Sequence, residues 1–127
     1  MKKLFYSNPI ACIALFLFVF ALSSCEKEDE IMLAPATMES FRDDVGRTFT
    51  FRVTGADNRD IWGGADGIYT DDSHIGTAAV HAGKLTVGEE KVLRITVLEG
   101  QNRYESITQN GITSRSYGTW DSSYRFE

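Results

Sequence analysis

The sequence predicts a small α+β domain in which a short helix packs among half-buried strands. Three observations carry that prediction. Apolar and polar side chains alternate with a period of two in three separate segments, one segment between the first two switches to helical spacing, and glycine-containing pairs punctuate the intervals. Successive side chains of a strand point to opposite faces, whereas i, i+3, i+4 spacing gathers apolar residues on one helix face, so a change of period marks a change of element. One short helix with several strands is the α+β pattern.

The chain begins with features of an export signal. Lys2 and Lys3 precede the uncharged stretch Ile10 to Leu22. A run of that length is too short to span the hydrocarbon core, which needs about 20 apolar residues. Leu22-Ser23-Ser24-Cys25 resembles the lipobox of bacterial lipoproteins. The resemblance implies that residues 1–24 are removed and that Cys25 takes a diacylglycerol on its thiol and a fatty acid, such as palmitate, on its new amine. Each buried methylene contributes about 0.8 kcal/mol, so two or more acyl chains hold a protein on a membrane firmly. An ordinary secretory signal or an uncleaved anchor is the alternative. Cysteine usage fits acylation: the sequence has only Cys12, inside the apolar run, and Cys25, so the processed chain can form no internal disulfide.

Glu26-Lys27-Glu28-Asp29-Glu30 places four carboxylates in five residues. Two readings stand for this tract, a solvated tether or, by resemblance to some Gram-negative lipoproteins, a signal for export to the outer face of the outer membrane. The expected location is the cell envelope, lipid-anchored to the outer membrane at its periplasmic face or at the cell surface.

The first 24 residues hold two of the 13 Lys and Arg and none of the 18 Asp and Glu, leaving 103 residues with a net charge of −7. That length suits one domain. The acidic balance argues against nucleic acid as a partner, because a phosphate backbone is bound through clustered Lys and Arg. The expected division is a signal peptide at 1–24, an acylated cysteine and flexible acidic tether at 25–45, and the folded domain at 46–127. Ile31-Met32-Leu33 and Pro35 read as linker passing into a first strand or turn.

In the folded part, Phe49, Phe51 and Val53 alternate with Thr48, Thr50 and Arg52, the pattern of a half-buried strand. Glycine pairs follow at Gly63-Gly64 and Asp66-Gly67. The segment Asp71 to Gly83 is helical in period, with Ile75, Ala78, Ala79 and Ala82 in one stripe. Asp72 or Ser73 is expected as its N-cap, and Gly83 as a left-handed stop. A stripe made mostly of alanine lets strands approach closely, so the helix is expected to be buried on more than one side. Leu93, Ile95 and Val97 mark a second strand, Glu99-Gly100 and Asn110-Gly111 mark turns, and Trp120, Ser122, Tyr124 and Phe126 mark a third strand.

These residues resemble an LCCL domain from about Ile61 to Phe126. Tyr69-Thr70-Asp71-Asp72-Ser73-His74-Ile75 followed by Ala78-Ala79-Val80-His81-Ala82-Gly83 is similar to the family's Y-x-x-D-S-x-I-C-x-A-A-x-H-A-G. Ile61-Trp62-Gly63 precedes this centre, and Tyr104, Ser106, Asn110 to Ser114, Tyr117-Gly118, Trp120, Tyr124 and Phe126 follow in the family's order. The resemblance implies a central helix wrapped by antiparallel strands and a non-catalytic extracellular module, for which lipid A or carbohydrate ligands have been proposed. Many members carry four cysteines; here Gly76 occupies the central cysteine position, so packing must supply what a disulfide would, typically about 2–4 kcal/mol. A mid-helix glycine costs roughly 1 kcal/mol against alanine, unless it permits a close strand crossing.

No catalytic, metal or cofactor site is expected. His74 and His81 are seven residues apart, about 10 Å along a helix axis, beyond what one metal ion bridges. His81 beside the alanine stripe reads as structural, hydrogen-bonded to backbone, although a functional role stays open; His74 reads as surface or cap. Ser73 and His74 are adjacent on a helix, where neighbours do not face each other, and no G-x-S-x-G elbow is present. Asp57, Asp60, Asp66, Asp71 and Asp72 are explained by turns and capping more simply than by a cation. Trp62, Tyr69, Tyr104, Tyr117, Trp120 and Tyr124 divide between sugar-stacking rings and core, most of them core. The expected function is a membrane-anchored, non-catalytic binding module for carbohydrate or lipopolysaccharide, with the membrane reached through the lipid on Cys25. The alternative is a structural module that packs on another envelope protein.

Overall fold

The structure, a computed structural model, describes residues 30–127. The expected signal peptide 1–24, Cys25 and residues 26–29 of the acidic tract lie outside the described residues. The elements are β1 (Ile31–Leu33), a 3-10 turn (Glu39–Phe41), β2 (Thr48–Thr54), β3 (Tyr69–Thr70), α1 (Ile75–His81), β4 (Glu90–Gln101), β5 (Thr108–Gln109), β6 (Ile112–Thr113) and β7 (Trp120–Phe126). Five strands form one sheet in the order β1-β2-β4-β7-β3, and β5 and β6 form a separate hairpin. The fold is thus mostly strands with one short helix. Among the described residues no helix is long and apolar enough to cross a membrane.

The three periodic segments become the three long strands. Phe51 and Val53 of β2, Ile95 and Val97 of β4, and Tyr124 of β7 are buried in one core. β4 holds the sheet together: β2 pairs antiparallel with its first half, from Thr48 opposite Thr96 to Thr54 opposite Glu90. β7 pairs antiparallel with its second half, from Ile95 opposite Phe126 to Gln101 opposite Trp120. Phe41, Phe49 and Phe51 close one end of the core with ring centroids 4.6 to 6.2 Å apart.

Three expectations about the frame are corrected. The strands are not all antiparallel, because β1 lies parallel to β2, with Ile31 opposite Thr50 and Leu33 opposite Arg52. Order also begins before residue 46. Ala34 donates to the Arg52 carbonyl, and Met38, 1% exposed, fills the core while its N–H bonds the Asp71 carbonyl at 2.9 Å. A three-residue strand on the sheet edge is too short to show a period, which is why 31–45 reads as linker. Glu99-Gly100, expected as a turn, continues β4. Gly100 is needed there because a Cβ would overlap the Trp120 carbonyl and Asp121 backbone of β7. Asn110-Gly111 does turn as expected, with φ of 51° and 81°, and joins β5 to β6.

All seven residues of α1 are buried, with β2 and the β5–β6 hairpin packed on it. Its end has the expected left-handed glycine: Gly83 at φ 79° donates to the Val80 carbonyl and Lys84 to the Ala79 carbonyl, the paired bonds of a Schellman stop. Its start differs from expectation. His74 is the N-cap, its Nδ1 accepting from the Thr77 N–H at 3.1 Å, while Asp72 and Ser73 are engaged elsewhere.

The His74 cap has a pH dependence with a definite sign. Burial, and then the positive charge of Arg59, hold the His74 pKa below the usual 6.5, and a protonated Nδ1 cannot accept from Thr77. Below about pH 6.5 the unfolded chain takes up this proton before the folded chain does, so stability falls as pH falls through that window. The urea midpoint of wild type is expected to drop on acidification from pH 7.5 to 5 more steeply than that of His74→Asn, which keeps a capping oxygen but no titration. Equal slopes would refute the assignment.

Candidate functional site

Residues 69–83 contribute to two places, a structural knot and a cleft. The knot is built on His81, 0% exposed. Its Nε2 lies 2.9 Å from the Ile107 carbonyl and its Nδ1 2.8 Å from the Tyr69 hydroxyl. A carbonyl only accepts, so Nε2 carries the hydrogen and Nδ1 accepts from Tyr69. The His81 carbonyl at the helix end accepts from Asn110 Nδ2 at 2.9 Å and Gln109 Nε2 at 3.2 Å, which hangs the β5–β6 hairpin on α1. Gly64, at φ 94°, lets the backbone pass over this pair, since a Cβ would meet Tyr69 Cε1 at 2.7 Å and His81 Cε1 at 2.8 Å. Burial, and then the Asp66 charge, push the Tyr69 phenol well above its usual pKa, so it remains a donor. The expected structural role of His81 holds in this geometry.

The cleft lies at the opposite end of β3 and β7. Asp71, 1% exposed, accepts from Arg42 Nε at 2.8 Å, Arg42 Nη2 at 3.1 Å and Trp120 Nε1 at 2.8 Å. This forked pair joins the 3-10 turn region, the end of β3 and the start of β7, and fixes the Trp120 indole. Ser73 Oγ accepts from the Trp62 N–H at 2.8 Å and bonds the Thr70 hydroxyl at 2.9 Å, which places Trp62. The Tyr104 hydroxyl accepts from the Gln101 N–H and donates to the Trp120 carbonyl, and the Tyr104 and Tyr117 backbones exchange bonds of 2.8 and 2.9 Å. Tyr117, 47% exposed, thereby meets Trp120 edge to face at 5.5 Å. Trp62, Tyr117 and Trp120, with Thr70 and Asp72, line a cleft of about 130 Å³.

Of the six aromatic candidates, Tyr69, Tyr104 and Tyr124 are core and Trp62, Tyr117 and Trp120 form the cleft, so half rather than the expected majority are core. Ser73 and His74 are not paired with each other: Ser73 is buried against Trp62 and Thr70, and His74 faces Thr77. Besides Asp71, three of the acidic residues before the helix have separate partners. Asp60 pairs with Arg115 at 3.4 Å, Asp66 accepts from the Ile68 N–H at 3.1 Å, and Asp72 accepts from the Thr70 hydroxyl at 2.6 Å. Among the described residues no group of three His, Cys, Asp or Glu side chains is arranged to hold a metal.

The domain is thus built of strands around one buried helix, with a small aromatic cleft at one end. The model of the LCCL domain family matches residues 31–124, and the chain belongs to that family, one of binding and interaction modules that are generally not enzymes. The match reaches back to β1, so the family's domain includes the segment that reads as linker in the sequence. No curated protein matches the chain.

Proposed function

We propose that this protein is a lipoprotein of the cell envelope, acylated at Cys25, whose α+β LCCL domain is a non-catalytic receptor for a carbohydrate or lipopolysaccharide. The cleft carries the reading. Three aromatic side chains with polar edges form a concave surface beside a carboxylate, the Trp120 indole fixed by its N–H bond to Asp71 and the Trp62 and Trp120 backbones held by Ser73 Oγ and the Tyr104 hydroxyl. Preformed apolar walls with a few fixed polar groups are what small-ligand sites use, and aromatic faces suit amphipathic rings.

The test is binding of the purified protein to glycan and lipopolysaccharide arrays, with Tyr117→Ala as the comparison. Tyr117 is half exposed, so its loss is expected to reduce array signal at least tenfold with little change in stability. Anchoring is tested separately by metabolic lipid labelling; label that persists in Cys25→Ser would refute the lipoprotein reading.

One observation favours the second reading, a surface for an envelope protein. Leu33, 78% exposed, Arg52 and Val92, 44% exposed, lie in one row across β1, β2 and β4, with Ile31 nearby, and exposed apolar groups on a sheet edge invite a partner. An empty array together with co-purification of one protein, lost in Leu33→Lys, would favour it.

A further inference from the structure

Resting on the cleft as the binding site, we infer that its occupant presents a positively charged head, an alkylammonium or protonated amine, seated against Trp62, Tyr117 and Trp120 and paired with Asp72. The lining is three aromatic side chains, one hydroxyl and one carboxylate, and no Lys, Arg, Asn or Gln lines the cleft. Trp120 Nε1 is committed to Asp71 at 2.8 Å and the Thr70 hydroxyl to Asp72 at 2.6 Å, which leaves the Trp62 indole N–H and the Tyr117 hydroxyl as the side-chain donors of the lining. A neutral sugar can use those two donors but gains nothing from the carboxylate's charge, whereas a cation is served by the carboxylate and the aromatic rings together.

The charges point the same way. Asp71 is matched by Arg42, which closes on it in a fork. Asp72 is half-buried, accepts one hydrogen bond from Thr70, and takes part in no ion pair among the described residues. Its negative charge is therefore the one the cleft presents to a ligand. A cation over the face of Trp or Tyr is attracted by the ring quadrupole, and three rings beside one carboxylate make a lining that a neutral molecule of equal shape exploits less well. A cleft of about 130 Å³ takes a single head group rather than a run of sugars. The cation can belong to a lipid headgroup or to an amino sugar, and the chemistry recognised is the same.

Both tryptophans of the chain line the cleft, so intrinsic fluorescence reports its occupancy. The full chain, in a polyoxyethylene detergent free of sugar and choline and at constant ionic strength, is titrated with choline against neutral 3,3-dimethylbutan-1-ol, and with glucosamine against N-acetylglucosamine. The charged member of at least one pair is expected to bind at least tenfold more tightly than its neutral counterpart, and the isosteric Asp72→Asn to lose that preference while keeping the wild-type circular dichroism. A preference for choline alone assigns a quaternary headgroup, and for glucosamine alone an amino sugar. Equal binding of charged and neutral members, a preference that survives in Asp72→Asn, or no response to any cation overturns the inference. Binding of N-acetylglucosamine without glucosamine overturns it while leaving the saccharide reading intact, whereas array binding that Tyr117→Ala does not weaken removes the cleft itself.

Discussion

Replacing His81 with alanine is expected to lower the unfolding free energy by about 3–5 kcal/mol, a large share of a total stability on the order of 5–15 kcal/mol. The imidazole is fully buried and bonds the Ile107 carbonyl and the buried Tyr69 hydroxyl. Its removal leaves the Tyr69 hydroxyl without its partner, at about 1–3 kcal/mol, takes from the Ile107 carbonyl one bond while that from the Ser114 N–H at 3.1 Å remains, and opens a cavity between α1 and the hairpin. Tyr69→Phe is the milder comparison. It deletes one donor while Gln109 Nε2, 3.4 Å from the same Nδ1, remains beside it, so a loss of only about 1 kcal/mol is expected. Because both substitutions touch one bond, the double variant should be less destabilised than the sum of the singles. Additive losses in urea unfolding would show that the Tyr69–His81 bond contributes nothing.

The same variant bears on function through distance. The His81 knot and the cleft sit at different ends of β3, linked by Tyr69 and Thr70. A destabilised His81→Ala protein that still folds at low temperature should keep its cleft ligand affinity. That outcome separates the family motif's structural half from its binding half, which a list of motif residues does not do.

How much of this was readable in the sequence depends on the range of the interactions involved. β2, β4 and β7 were legible because one face of each packs on the core, so burial writes a period of two into the residues themselves. The Gly83 stop was legible because a left-handed backbone selects glycine locally. β1 and β3, of three and two residues, carry too few side chains to show any period. Asp71 reads as a turn or capping residue by position, yet its carboxylate is committed to Arg42 and Trp120, 29 and 49 residues away. His74 takes the cap that Asp72 or Ser73 would be expected to take, because Asp72 is bound to Thr70 and Ser73 to Trp62. The cleft was half legible. The family pattern singled out Trp62, Tyr117 and Trp120, but only the β3–β7 pairing and the bridge between Trp62 and Arg115 bring them to one place. Tyr69 and Tyr124, with the same chemistry, point inward. An aromatic residue's type does not say which side of the sheet it takes.

At position 76 two effects of known size oppose each other, and the structure decides the sign. Alanine is favoured over glycine inside a helix by roughly 1 kcal/mol, so propensity alone predicts that Gly76→Ala stabilises the domain. A Cβ there, however, would press far inside van der Waals contact on the Thr54 carbonyl oxygen, with His74 Cε1 at 3.2 Å on its other side. The obstacle is backbone and cannot rotate away. Thr54 is paired with Glu90 of β4, Gly55 donates to the Glu89 carbonyl at 2.9 Å, and Ala56 donates to the Gly76 carbonyl at 3.3 Å. Moving β2 off the helix would disturb this whole set, and overpacking of that kind costs about 1–3 kcal/mol or more. Taking the upper end of that range for a clash with backbone and subtracting the propensity gain, Gly76→Ala is expected to destabilise by about 2 kcal/mol net, measured as a lower urea midpoint at unchanged m-value. Gly118→Ala, where φ is not positive and a Cβ would meet nothing within 4 Å, controls for the general cost of replacing a glycine. Stabilisation by Gly76→Ala would mean that α1 and β2 can separate freely, and the close crossing would then not explain a glycine where many members of the family carry cysteine.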